Sequence, residues 1–381
     1  MRQMLALCGA VLLAAAFTDL AAAPNPIPAP PNLAADSYVL MDVPSGDLLV
    51  EVNKDQPIEP ASLTKIMTAY VVYGELASGR IDLDDQVPIS ERAWRMKGSR
   101  MFLEAGTQVS VRKLLKGLIV QSGNDACVAL AEYVAGTEAA FADLMNAQAN
   151  ALGMAHSHFV NATGWPHPDH YSTAHDIALL SRALIRDYPS HYSWYADKEY
   201  TYGGISQPNR NRLLWRDASV DGIKTGHTEG AGYCLAASAE RDDRRLISVV
   251  LGAASDEART DASLALLNYG FRFFDSHRLY SAGKALTHAR IWGGEQTEVP
   301  LGLKQDLYIA IEQGRFDDLQ ADMQLLPELE APVASGAELG QVNISLDGER
   351  VATRPLVALE PVAEGGIWRW AVDSVLRLIQ F

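Results

Sequence analysis

Glu59-Pro60-Ala61-Ser62-Leu63-Thr64-Lys65-Ile66-Met67 decides how this chain is read. From Ser62 onward, Leu63, Ile66, Met67, Tyr70 and Val71 recur at helical spacing, which predicts a helix over 62–77. A serine in the first turn of a helix keeps an unpaired backbone N–H, with the positive end of the macrodipole behind it. That N–H can donate to a developing oxyanion. Lys65, three residues on, shares the face of Ser62. An alcohol attacks well only when a base takes its proton. A lysine is that base only when neutral, a state promoted by burial or by a neighbouring cation, a place Lys224 can fill. Alone, the pattern equally fits a capping serine beside a surface lysine. Short matches also arise by chance, and Ser281-Ala282-Gly283-Lys284 repeats this one.

Two later patterns change the weight of the first. Ser122-Gly123-Asn124 falls between helical stretches 111–120 and 125–135 and reads as a tight connection displaying two polar side chains. There Ser122 would relay a proton to a leaving amine, while Asn124 would hold Lys65 and a substrate amide. Lys224-Thr225-Gly226 follows a turn at Asp221-Gly222 and leads toward a strand-like run, 233–238. Gly226 would open the strand edge to a ligand backbone, with Lys224 and Thr225 facing its carboxylate. Each pattern alone is ordinary, a helix cap or a hairpin lysine. In this order they supply an activated hydroxyl, a proton shuttle and a cationic anchor. Acyl transfer on a peptide with a free carboxylate needs those three.

The same set marks penicillin-binding proteins and class A β-lactamases. The chain resembles a low-molecular-mass penicillin-binding protein, a D-alanyl-D-alanine carboxypeptidase of the serine-type, S11-like family. Segments 98–102, 209–215, 221–232 and 269–274 extend the resemblance over nearly the whole mature chain. It implies that Ser62 carries the acyl-enzyme, Lys65 is its general base and Ser122 relays the proton. It places the N–H groups of Ser62 and His227 in the oxyanion hole. Lys224, Thr225 and Arg259 would face the terminal carboxylate of a peptidoglycan pentapeptide stem, with Asn124 and Gly226 completing the substrate site. β-Lactam antibiotics would mimic that stem and trap Ser62. No cofactor or metal is implied. A class A-like β-lactamase would need a Glu-x-x-Leu-Asn segment, which the chain lacks. A D,D-endopeptidase shares the chemistry but usually not the C-terminal module. A non-catalytic wall-binding protein has no need of Ser62, Lys65, Ser122 and Lys224 together.

The 381 residues suffice for two domains. A net charge of −15 argues against nucleic acid as a partner. Residues 1–23 read as a secretory signal: Arg2, an apolar stretch from Met4 to Phe17, and small residues Ala21-Ala22-Ala23 before Pro24. Its removal leaves Cys127 and Cys234, which read as buried free thiols. Residues 24–34, rich in Pro and Ala, form a linker.

The fold expected is α+β, a DD-peptidase/β-lactamase-like domain over 35–280. Its sheet would come from the chain ends, with hairpins at 37–53 and 233–253. A helical lobe over 62–77, 111–120, 125–135, 138–152 and 173–187 would pack on it, closed by a helix at 256–274. Short alternating runs from 285 to 362 predict a small all-β domain. In 366–381, Arg369, Asp373, Arg377 and Gln380 share one side while apolar residues including Trp368 and Trp370 cover the rest. Such a helix is too short to span a bilayer but suits its surface. The expected location is therefore the periplasm, with 366–381 resting on the outer face of the inner membrane.

Overall fold

The structure is a computed structural model that describes residues 27–379. The expected signal segment, residues 24–26 of the linker and residues 380–381 of the terminal helix lie outside the described residues.

Five antiparallel strands form the main sheet, in the order Leu48–Val52, Ser37–Asp42, Arg244–Ala253, Gly232–Arg241 and Val220–Thr228. Both faces are covered, so alternate residues serve different cores. Val39 and Met41 join the cluster beneath the helical lobe, whereas Tyr38 and Leu40 join the cluster on the opposite face. The strands therefore read as almost continuous apolar runs. The hairpin at Asp242-Asp243 turns with φ of 49° and 61°, the left-handed pair that matches strand twist. Helix Asp256–Phe273 covers the second face, its start capped by the Ser255 side chain accepting from the Ala258 N–H.

Helices Thr64–Ala77, Val111–Val120, Asn124–Ala135, Glu138–Ala151 and Ala174–Asp187 form the lobe on the first face. The first of these is its axis. Residues 64–73 are all buried, which leaves that helix no solvent-facing side in its first two turns. Ser62 lies one step earlier than expected, in a 3-10 turn, Ala61–Leu63, ahead of the helix proper. The linker does not hang free: the carbonyls of Pro28 and Pro31 accept from the hydroxyls of Tyr269 and Tyr38.

A second sheet runs Thr287–Arg290, Glu298–Gly302, Glu349–Ala358, Glu338–Leu346 and Leu319–Leu325. Its separate core includes Val299, Leu301, Val342, Ile344 and Leu356. Strand Phe274–Tyr280, which falls inside the range expected for the first domain, pairs with Leu307–Glu312 against this core. Among the described residues no helix is long and apolar enough to cross a membrane. The terminal helix Ile367–Ile379 turns its acidic side inward. Asp373 is buried and accepts from the Gly293 N–H at 2.8 Å, whereas Ile367 and Trp368 are each 87% exposed.

Candidate active site

The Ser62 turn is closely packed against two glycines. Gly164, at φ 81°, faces it so tightly that a Cβ there would stand 1.7 Å from the Ala61 carbonyl oxygen. Gly226 approaches from the edge strand Val220–Thr228. A Cβ on it would stand 3.1 Å from the Pro60 carbonyl oxygen and 3.3 Å from the Ser62 nitrogen. The space that Gly226 leaves is thus filled by the Ser62 turn, not kept for a ligand backbone as the sequence suggested. The strand still lies at the sheet edge, free to pair with an extended peptide. Thr228 ties the two segments together by donating its hydroxyl to Glu59 at 2.8 Å.

Lys65 is fully buried at the centre of the arrangement. Its Nζ lies 2.8 Å from Ser62 Oγ, 2.8 Å from Asn124 Oδ1 and 3.0 Å from the Thr163 carbonyl oxygen. Burial pushes its pKa down to about 8, with the Arg210 charge acting in the same direction. Relative to an exposed lysine, a shift of that size lowers the cost of the neutral amine by about 3 kcal/mol. A neutral amine has two N–H donors and one lone pair. The two oxygens that can only accept, Asn124 Oδ1 and Thr163 O, take the donors. The lone pair is left for the Ser62 hydroxyl, which is the geometry a general base needs.

Ser122 and Asn124 reach this point by a strained connection. Helix Val111–Val120 ends, Ser122 turns through φ 59°, and Asn124 begins the next helix. A non-glycine residue there costs about 1–3 kcal/mol, typical of residues whose placement is imposed by their surroundings. Asn124 donates through Nδ2 to the Lys97 carbonyl at 2.7 Å, which fixes its oxygen toward Lys65. Its neighbour Asp125 accepts from the N–H groups of Met101 and Leu103, holding 98–103 against the helix.

Lys224 is buried on the edge strand, and burial together with the charge of Lys65 pushes its pKa well below the ordinary lysine range. Ser62, Ser122, Thr225, Gly226, His227 and Arg259 all line one cleft of about 820 Å³. Lys65, Asn124 and Lys224 form its buried support rather than its surface. Arg259 does more than face the cleft. Its Nη1 donates to the Gly226 and Cys234 carbonyls at 2.9 and 3.3 Å, and it pairs with Asp256. Asp256 is the only carboxylate among the described residues lining this cleft, and Arg259 and Arg212 occupy it. Cys127 and Cys234 are buried free thiols, pushed up to about 12 and about 11 by burial, and so inert.

The other S-x-x-K matches are built differently. Ser281–Lys284 is a surface turn, and Ser110 of Ser110-Val111-Arg112-Lys113 caps a helix whose Lys113 is exposed. Sequence reading missed the loop that completes the lysine's shell. Asn161 Oδ1 accepts from the N–H groups of Thr163, Gly164 and Trp165, folding Asn161-Ala162-Thr163-Gly164 so that the Thr163 carbonyl meets Lys65. The Asn–Gly content was the available signal. His170 braces the same loop. The Val160 N–H donates to its Nδ1, so Nε2 carries the hydrogen and donates to Thr64 Oγ1 at 2.8 Å.

A family model described as D-alanyl-D-alanine carboxypeptidase matches residues 25–255, and one described as penicillin-binding protein 5, C-terminal domain, matches 274–364. The D-alanyl-D-alanine carboxypeptidase DacA of Escherichia coli K12 is 43% identical over 378 residues, covering 97% of this chain and 94% of that protein. DacC of the same organism is 45% identical over 354 residues, 91% of this chain and 88% of its own length. The crystal structure of penicillin binding protein 5 from Haemophilus influenzae superposes with a TM-score of 0.85 at 42% identity, covering 88% of this chain and 99% of that one. An ampicillin-bound penicillin-binding protein D2 of Listeria monocytogenes matches with TM-score 0.59 at 33% identity, over 63% of this chain and 100% of its own.

The brace at His170 has a pH signature. Burial lowers its pKa from 6.5 to about 4, so the unfolded chain takes up a proton in that window and the folded chain does not. Stability from this group is therefore intact above pH 6.5 and falls by about 3 kcal/mol as pH drops toward 4. Urea unfolding at pH 7 and pH 4.5 should show a larger loss for the wild type than for His170→Gln. Equal losses would contradict the assignment.

Proposed function

The chain belongs to the D-alanyl-D-alanine carboxypeptidase family of serine-type hydrolases, and from that premise we propose that Ser62 forms the acyl-enzyme. The reaction removes the terminal D-alanine from peptidoglycan pentapeptides. The observation that carries the assignment is the 2.8 Å contact between buried Lys65 Nζ and Ser62 Oγ. Neutral Lys65 takes the hydroxyl proton as Oγ attacks the carbonyl carbon of the D-Ala–D-Ala amide. Negative charge develops on the carbonyl oxygen, where the N–H groups of Ser62 and His227 receive it. The C–N bond then breaks as the proton held by Lys65 passes through the Ser122 hydroxyl to the departing amine. Water attacks the Ser62 ester and restores the hydroxyl.

The peptide's terminal carboxylate goes to Lys224, Thr225 and Arg259. Its charge offsets the cost of two buried lysines and an arginine grouped at one cleft. In a β-lactam the broken amide stays tethered to the acyl group, so no leaving amine departs. The cleft's sole carboxylate among the described residues, Asp256, is bound by two arginines. That argues for slow release of opened β-lactam, unlike a class A β-lactamase with its glutamate-held water. Incubation of the full chain with a purified pentapeptide should release free D-alanine. Ser62→Ala should abolish both this release and labelling by a fluorescent penicillin. Stoichiometric labelling that persists in the variant would exclude Ser62, and a cut crosslink without D-alanine would mark an endopeptidase.

For the remainder of the chain, the reading is a periplasmic enzyme led out by 1–23, catalytic over 35–280 and held off the membrane by the β domain, 285–362. The terminal helix supports it by its orientation: Asp373 faces the β domain while Ile367, Trp368, Trp370, Val372 and Val375 are exposed. Each large apolar side chain entering the interface contributes roughly 1.5–3 kcal/mol. The chain lacking the signal should float with phospholipid vesicles, and the same chain ended at residue 365 should not. Equal flotation of the two would contradict the anchor.

A further inference from the structure

A second cleft, about 500 Å³, lies behind the loop that completes the Lys65 shell. Its wall carries Arg92, Arg95 and Lys97, a cationic cluster on a chain whose net charge is −15, with His167 beside them. The one acid among the described residues lining it, Glu138, is already committed: it accepts from the Ala162 N–H at 3.0 Å and pairs with Arg92. Arg95 is 67% exposed, pairs with Glu91, itself 71% exposed, and lies 6.0 Å over the Trp94 ring. Trp165 lines the same cleft and is 48% exposed, held at the end of a loop whose backbone Asn161 has fixed. The indole gives this cleft a flat apolar face, and Arg92, Arg95 and Lys97 give it a charged one.

The two clefts share a wall. The Trp165 ring lies 3.6 Å from where a Cβ on Gly98 would stand, and Gly98 lines the catalytic cleft. The Lys97 carbonyl accepts from Asn124 and the Thr163 carbonyl from Lys65, so two residues of the second cleft touch the catalytic support directly. A ligand continuing past Gly98 would meet the indole and the cations.

Granting the peptidoglycan substrate proposed above, we propose that this second cleft binds an acidic glycopeptide portion of the same polymer, remote from the scissile bond. The indole offers a flat apolar face on which an amino-sugar ring stacks. The cations pair with carboxylates of the peptide stem. Binding there adds interaction energy for polymer-like substrates that a short D-Ala-D-Ala peptide does not receive. The cleft is therefore a specificity subsite, and its residues are not catalytic.

The test compares kcat/KM on a neutral, blocked tripeptide ending in D-Ala-D-Ala with that on a disaccharide pentapeptide, for wild type, Trp165→Ala and Arg95→Glu. Both variants should lose about tenfold or more on the disaccharide pentapeptide alone. Activity on the tripeptide and the rate of penicillin acylation should be unchanged, and Arg95→Lys should recover the loss. Equal effects on both substrates, or none on either, would overturn the subsite. If Trp165→Ala slows penicillin acylation, Arg95→Glu, at an exposed side chain, decides alone. A wild-type chain that releases D-alanine from neither peptide would instead refute the proposed activity, a separate result.

Discussion

A buried amine with one lone pair and only acceptor oxygens for its hydrogens is the constraint around which this molecule is organised. Lys65 sits between Ser62, Asn124 and Thr163, which belong to three segments far apart in the chain. Asn124 and Thr163 each have a carbonyl-type oxygen that cannot donate, so the neutral amine is oriented without ambiguity. Much of the fold serves that placement. Gly164 and Gly226 admit the neighbouring backbones, Asp125 pins 98–103, and His170 braces the first turn of the central helix. Loss of any brace moves the amine relative to the hydroxyl, and the chemistry tolerates little movement.

Burial has a second consequence. Lys65 and Lys224 both lie out of water, the charge of Lys65 makes a charge on Lys224 less favourable, and Arg210 does the same to Lys65. Lys65 thus gives up its proton far more readily than an exposed lysine, and Lys224 is held well below the ordinary lysine range. In the proposed reaction, a terminal carboxylate beside Lys224 would offset that burial and couple recognition to activation.

Much of this was legible in the sequence, and the illegible parts share a cause. The central helix, both hairpins and the helical lobe announce themselves through periodicity and turn residues, as at Asp242-Asp243. Ser62, Lys65, Ser122, Asn124 and Lys224 carry their chemistry in side chains, so order and residue type sufficed to nominate them. The Thr163 contribution is a backbone carbonyl and leaves no residue-type trace. Gly226 was noticed for the wrong neighbour, because a missing side chain does not say which partner fills its space. Arg259 was placed at the carboxylate, but its bonds to the Gly226 and Cys234 carbonyls appear only once the strand and helix are packed. Strand Glu298–Gly302 leaves a weak trace in the sequence because Pro300 interrupts it.

The most direct test is the pH dependence of the acylation rate of the wild-type chain with a penicillin, measured under single-turnover conditions. The account requires a rate that rises with pH and levels off above a midpoint near 8, the value to which burial lowers Lys65. It also requires that Lys65→Arg, which keeps the charge but cannot act as a base, lose the rise along with the activity. A rate independent of pH from 6 to 10, or the same rising profile in Lys65→Arg, would contradict it.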